Sequence, residues 1–243
     1  MSAQIQSLEQ KAYDAHPSAP SLYFGDIVEK RVLDVGCGTG YLAEFLEGRG
    51  NECYGITLSP AEAEMAGPRM TRVVLGDLNT MESLPFPERY FDVVVFADVL
   101  EHLRDPRHAL QLVKPYLAPS AVTIASIPNV ANIEVRWNLL YGRFDYEPFG
   151  IMDETHLRFY TLKTAKQLLV SEGYHIFNVK MTHWNWQFPT LVRKLLTSRE
   201  WEIKQRLAQW WPGLFASQFV MYATLPEDGS VEQISVRQMR KEK

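Results

Sequence analysis

The chain has 243 residues, a formal net charge of −4 at pH 7 and 46% hydrophobic residues. That length can bury a real core, and the composition is that of an ordinary globular protein. The mild acidity gives no global electrostatic reason to bind nucleic acid, and no apolar run approaches the roughly 20 residues that span a bilayer. Met1 to Tyr13 is polar and lacks the apolar stretch of a signal peptide. The two cysteines, Cys37 and Cys53, have no metal-ligand spacing and fit a reducing, cytoplasmic setting.

In chain order, residues 1–30 form an N-terminal segment expected to be helical. A strand is predicted over 31–35, followed by Gly36-Cys37-Gly38-Thr39-Gly40 and then a helix over 41–48 with Leu42, Phe45 and Leu46 on one face. Further strands are predicted over 52–57, 71–75, 91–96 and 120–126, and helices over 60–66, 106–117 and 161–172. This alternation is the pattern of an α/β fold with a parallel sheet. Asp105-Pro106 and Thr161 read as helix starts. Two late strands, 174–181 and 217–225, are expected to form a ribbon that closes the sheet.

Two segments exceed a minimal version of this plan, 129–160 and 182–216. The second contains Trp184, Trp186, Trp201, Trp210 and Trp211, most of which we read as packing a small accessory core. A lid over a substrate, a dimer surface or a membrane-facing patch are the other roles open to it. Residues 227–243 read as a solvated, disordered tail.

Glycines after a buried strand let the backbone turn sharply and approach a ligand, so a nucleotide-like cofactor is expected there. The dinucleotide fingerprint requires Gly-x-Gly-x-x-Gly, and Tyr41 stands where its third glycine belongs. The spacing Gly-x-Gly-x-Gly instead resembles the first motif of class I S-adenosylmethionine (SAM) dependent methyltransferases. Gly76-Asp77-Leu78 and Ala97-Asp98-Val99-Leu100-Glu101-His102 follow in the order that family uses, over about residues 30–126.

The resemblance implies a Rossmann-like, seven-stranded, mostly parallel sheet with helices on both faces and a helical insertion between the last two strands. It implies a SAM-binding core over 31–181 and 217–226, a cofactor-covering segment over 1–30, and insertions 129–160 and 182–216 as substrate cap or dimer surface. It places Asp34, Gly36, Cys37, Gly38, Gly40, Thr57, Leu58, Ser59, Gly76, Asp77, Leu78, Ala97 and Asp98 at the cofactor. Thr57 departs from the family, which carries a carboxylate there for the two ribose hydroxyls; a hydroxyl cannot make that bidentate bond. Similar Ile-Thr-Leu-Ser sequences occur among cyclopropane-fatty-acid synthases and related methyltransferases.

Methyl transfer is an in-line displacement in which positioning carries most of the catalysis and a base assists a hydroxyl nucleophile. His102 is the preferred base, because it follows the fourth strand on the ligand-binding edge and matches a histidine of the ubiquinone-biosynthesis O-methyltransferases. The run Ile151-Met152-Asp153-Glu154-Thr155-His156-Leu157-Arg158-Phe159-Tyr160 resembles a block of bacterial methyltransferases linked to sugar and polysaccharide pathways. Asp153 and His156, spaced as one helical turn, join the catalytic candidates, and Asn129, Tyr146 and Arg158 are the substrate-binding candidates. A structural network holding the insertion to the sheet is the other role open to Asp153, His156 and Arg158. The acids and histidines show no ligand cluster in sequence, so no metal is expected. The expected function is methylation of a small polar acceptor, an oxygen of a sugar or related metabolite, with a non-catalytic SAM-binding partner protein as the alternative. No nucleic-acid partner is expected, and a homodimer is left open.

Overall fold

The computed structural model describes residues 23–182 and 200–226. Its strands are β1 (Arg31–Val35), β2 (Glu52–Thr57), β3 (Arg72–Leu75), β4 (Phe91–Ala97), β5 (Leu117–Pro128), β6 (His175–Thr182) and β7 (Gln218–Thr224). They form one sheet in the order β3-β2-β1-β4-β5-β7-β6. The first five are parallel, and β7 inserts antiparallel between β5 and β6. The expected mostly parallel, seven-stranded sheet is therefore present, with the late ribbon at its edge.

Strand periodicity explains why the sheet is covered on both faces. Leu33, Val35, Val94 and Phe96 point into one apolar cluster, while Val32, Val93 and Val95 point into the other. Each fully buried side chain of this kind contributes about 1.5–3 kcal/mol. Against one face lie α3 (Pro106–Val113) and α5 (Leu162–Ser171), through Ala109, Leu110, Ala165 and Leu169; against the other lie α1 (Tyr41–Leu46), through Leu42 and Leu46, and Phe24 and Ile27 of the N-terminal segment. The α2 helix (Pro60–Ala66) follows β2.

Helix starts fall where the sequence puts them. Asp105 accepts from the amides of Arg107 and His108, and Thr161 forms a reciprocal capping box with Thr164. Helix ends differ. The helix expected over 106–117 stops at Val113, because Pro115 cannot donate, and a 3₁₀ turn (Lys114–Tyr116) leads directly into β5. β5 therefore begins at Leu117, before the expected 120.

Residues 129–160 contain α4 (Ile133–Leu140), capped by Asn132, and a chain of turns held by a small cluster of Val135, Ile151 and Met152. Two short helices, α6 (Glu200–Trp210) and α7 (Pro212–Phe215), precede β7. The accessory-core expectation fails for Trp210 and Trp211: both are exposed, 75% and 51%, with their rings packed edge-on against each other. It is Ala208 of α6 that enters the main core, since the tryptophans occupy the outward face of the helix end. Trp184, Trp186, residues 1–22 and the tail 227–243 lie outside the described residues.

Candidate cofactor site and reactive centre

The chain leaves β1 for β2 on one side and continues in β4 on the other, so the switch point lies at the carboxyl ends of β1 and β4. The glycine loop sits there. Gly36, Gly38 and Gly40 have φ of 80°, 50° and 82°, a region that L side chains rarely enter. A Cβ on Gly36 would stand 2.5 Å from Val99 Cγ2, so the loop is packed against the segment after β4. The amides of Gly36 and Cys37 both donate to the Ile56 carbonyl, at 2.8 and 2.9 Å. The loop thus offers shape, and those two amides are committed to β2.

Acceptors follow in order along the same edge. Asp34 is buried on β1, between Gly55 and Val95 of its neighbouring strands. At the end of β2, the buried Thr57 donates its hydroxyl to Glu62 Oε2 at 2.5 Å and accepts from the Ser59 amide. Glu62 lies in the first turn of α2, whose cap is Ser59. The carboxylate missing at position 57 is therefore present beside it, brought by a residue five positions on that the sequence reading passed over. Leu58 between them is exposed.

After β3, Asp77 Oδ1 accepts from both the backbone and side-chain nitrogens of Asn79. These bonds hold its carboxyl below the usual range. Among the described residues the turn bonds go to Oδ1 alone, so the turn role is compatible with a ligand on the other oxygen. Gly76 donates to the Thr57 carbonyl, and Leu78 is buried in the core. At the end of β4, Ala97 is half-buried. Asp98, expected at the cofactor, directs Oδ1 to the Ser126 hydroxyl and the Gln218 amide, on β5 and β7. Burial raises its carboxyl above the ordinary value, and its φ of 53° marks a tight turn out of the strand.

SAM fits this donor set. Its amino group, ribose hydroxyls and adenine amino group are all hydrogen-bond donors, and the carboxylates of Asp34, Glu62 and Asp77 follow in sequence along the edge that carries the three-glycine loop.

Beyond β4, a 3₁₀ turn (Leu100–His102) carries Glu101 and His102. Its Glu101 carbonyl accepts from the amides of Leu157 and Arg158, at 2.9 and 3.1 Å, which draws the 151–160 segment onto the site. His156 Nε2 lies 3.9 Å from Glu101 Oε1, and the rings of His102 and His156 are 4.7 Å apart. Glu101 is 1% exposed, and among the described residues no other residue gives either of its carboxylate oxygens a hydrogen bond. Burial pushes its carboxyl well up. Burial, with the neighbouring His102, lowers His156. His102 Nδ1 faces the Thr155 hydroxyl at 3.0 Å and carbonyl at 3.3 Å. Thr155 in turn donates to Asp153 Oδ1 at 2.6 Å.

The structure thus gathers His102, His156 and Asp153, with one correction. Residues 151–160 are not helical; Asp153 and His156 are joined by a turn, His156 amide to Asp153 carbonyl at 3.1 Å. They do not share a helical face: His156 goes inward to Glu101, and Asp153 reaches His102 through Thr155. Glu101 was missed because nothing in a Leu-Glu-His run distinguishes a buried glutamate from a solvated one. The cluster is equally invisible in sequence, since it needs the 151–160 segment folded back on β4.

The substrate candidates separate. Asn129 is 0% exposed; its amide donates to the Ala216 carbonyl at 2.8 Å and its oxygen accepts from Ala131. Both ends are consumed in joining β5 to the loop before β7, which excludes the expected substrate contact. Arg158 donates to the Arg104 carbonyl and lines a surface cavity of about 380 Å³ with Asp105, Arg107 and Tyr160. Tyr146 is exposed and continues a row of rings: His156 to Phe159 at 6.1 Å, Phe159 to Tyr146 at 6.4 Å.

Fold and motif order define a Rossmann-like SAM-dependent methyltransferase architecture. The model of a family described as "Methyltransferase domain" matches residues 11–179, and the chain belongs to that family, whose cofactor is SAM. A ubiquinone biosynthesis O-methyltransferase of Psychrobacter cryohalolentis is 33% identical over 131 residues, 51% of this chain and 51% of that protein. A chloroplastic tocopherol O-methyltransferase of Arabidopsis thaliana is 27% identical over 186 residues, 69% of this chain and 51% of that one. The chain spans about half or less of the length of the curated relatives it matches. A SAM-dependent methyltransferase structure from Thermotoga maritima superposes with a TM-score of 0.61 at 16% identity, covering 90% of this chain and 95% of that one, a likeness of fold.

Proposed function

We propose that the chain transfers the methyl group of SAM to a hydroxyl oxygen of a small, ring-bearing polar acceptor, with a sugar as the first choice. The observation that carries this reading is the placement of His102 at the end of β4, on the same sheet edge as the glycine loop and the three carboxylates. The ubiquinone and tocopherol O-methyltransferases among the relatives support an oxygen acceptor.

Bound SAM supplies a methyl group on a sulfonium sulfur. The residues of the chain position and deprotonate. A carbonyl accepts only, so the contact with Thr155 O requires His102 Nδ1 to carry the hydrogen; Thr155, oriented by Asp153, keeps it there. Nε2 then holds the lone pair that takes the acceptor's hydroxyl proton, as the oxygen forms its bond to the methyl carbon and the carbon–sulfur bond breaks. The ring row from His156 through Phe159 to Tyr146 offers faces on which a sugar or aromatic ring can stack. Arg158 stands ready for a carboxylate or phosphate on a larger acceptor.

A SAM-binding protein without catalysis is the alternative that Thr57 supports, since it lacks the family's ribose carboxylate; the carboxylate of Glu62, bonded to Thr57, weighs against it. Two buried cysteines suit the proposed cytoplasmic setting; burial pushes the Cys53 thiol up to about 11. No helix among the described residues is long and apolar enough to cross a membrane. A screen of sugars, nucleotide-sugars and phenols, read by release of S-adenosylhomocysteine, tests the proposal. Turnover with one acceptor, reduced about 10²–10⁴-fold in His102→Ala with SAM binding kept, is expected. Unchanged turnover in that variant removes His102 from the mechanism.

A further inference from the structure

We propose that Glu101, His102 and His156 form a binding site for one divalent first-row transition cation of the zinc(II) or cobalt(II) type. The site goes beyond the methyl-transfer reading and does not depend on it, since its three side chains make it.

The argument begins with hydrogens. His156 Nδ1 lies 3.1 Å from the Ile151 carbonyl, which can only accept, so Nδ1 carries the hydrogen and Nε2 holds a lone pair. His102 is fixed the same way by the Thr155 carbonyl, and the Thr155 hydroxyl gives its own hydrogen to Asp153. Both rings therefore keep Nδ1–H on these anchors, which leaves Nε2 as the ligand atom of the neutral imidazole. Between them stands Glu101, buried, with neither oxygen hydrogen-bonded by another described residue. One ligand atom from each residue lies within 4.8 Å of the others. Three acceptors converge on one point with no donor among them.

A convergence of that kind calls for an occupant that takes up their lone pairs, a hydrogen-bond donor or a cation. A proton on Glu101 is the simplest, but its bond to His156 would have to span 3.9 Å, beyond hydrogen-bond reach. A cation satisfies all three at once. Two ligands of a tetrahedral zinc at about 2.0–2.1 Å stand about 3.3 Å apart, so the Glu101–His156 pair closes by about 0.6 Å and a separation of 4.8 Å within the cluster by about 1.5 Å, through side-chain rotation. The outer contacts match as well: each ring donates its other N–H to a backbone carbonyl, the arrangement that fixes metal-binding imidazoles. Two imidazoles and one carboxylate suit zinc, cobalt, nickel or iron, whereas magnesium and calcium favour all-oxygen sets. His102 is half-buried, so the cluster is reachable from solvent. A bound cation takes the same Nε2 lone pair that a general base would use, so occupancy has to be read directly rather than through turnover.

The test uses the untagged full chain, stripped with chelator and titrated with zinc(II) and cobalt(II) chlorides. One equivalent bound per chain is expected, with cobalt developing the visible ligand-field bands of a low-coordinate nitrogen–oxygen site. Glu101→Gln and His156→Gln should each weaken zinc binding at least tenfold, while His175→Gln, on the exposed start of β6, leaves it unchanged. A cobalt spectrum identical to that of the aqueous ion, or equal zinc binding by wild type and both variants, overturns the proposal. Where a variant fails to fold, the wild-type cobalt spectrum alone decides. SAM binding is titrated separately: its loss contradicts the methyl-transfer reading and leaves the cation site standing.

Discussion

Thr57 and Glu62 form a single unit: the threonine hydroxyl donates to Glu62 Oε2 across 2.5 Å at the carboxyl end of β2. The strand supplies the anchor and the first turn of α2 supplies the charge, so a carboxylate stands beside position 57 although that position has none. Replacement of Glu62 by Ala should weaken SAM binding by about tenfold or more, the effect of losing a charge-assisted hydrogen bond. Thr57→Val, which frees Glu62 without removing it, should cost less. Calorimetric titration of both variants with SAM checks the order; equal affinities for Glu62→Ala and wild type would remove Glu62 from the site.

Gly36 is constrained twice, by its φ of 80° and by Val99 Cγ2, 2.5 Å from any Cβ added there. Gly36→Ala should lower stability by about 1–3 kcal/mol, from left-handed strain and overpacking together. Adding Val99→Ala should recover part of that loss and leave the strain. Urea unfolding of the single and double variants measures the coupling, and additive effects would show that the contact does not matter.

Asn129 is a strut. Asn129→Ala leaves the Ala131 amide without its acceptor and the Ala216 carbonyl with Asn132 alone, and should cost about 1–3 kcal/mol of stability. Thermal unfolding should register the change, and the KM for any acceptor should not. A raised KM with unchanged stability would restore the substrate role that burial denies it.

Arg31 and Asp92 give a pH dependence. Burial raises the Asp92 carboxyl, but the Arg31 guanidinium and amide outweigh it and hold it below its usual 3.8. A depressed carboxylate stabilises the fold above its unfolded value and loses that stabilisation as pH falls through the folded one, so the loss falls below about pH 4. Both side chains are about one-third exposed, and solvent screening limits the pair to about 1 kcal/mol. Asp92→Asn should therefore be less stable than wild type at pH 7 and nearly equal at pH 2–3 by urea unfolding.

The sheet was readable because its strands state their burial in one dimension: Val93 to Phe96 is apolar on both faces, and Asp105 and Thr161 mark helix starts by local chemistry. The glycine loop was readable for the same reason, since its conformations are a property of consecutive residues. What escaped was three-dimensional. Pro115 shortened a helix that periodicity carried to 117. Asn129 looks like a polar ligand until β7 closes over it. Glu101 and His156 meet only when the Glu101 carbonyl captures residues 157 and 158, a contact no spacing rule contains. Glu62 lay one helical turn beyond the position where the family pattern directed attention.

The central claim is that this sheet edge holds SAM, and titration calorimetry of the folded chain with SAM and with S-adenosylhomocysteine tests it most directly. One site per chain is predicted for each, weakened in Glu62→Ala and kept in His102→Ala. Absence of binding for both compounds, in protein whose thermal unfolding is cooperative, would contradict the account.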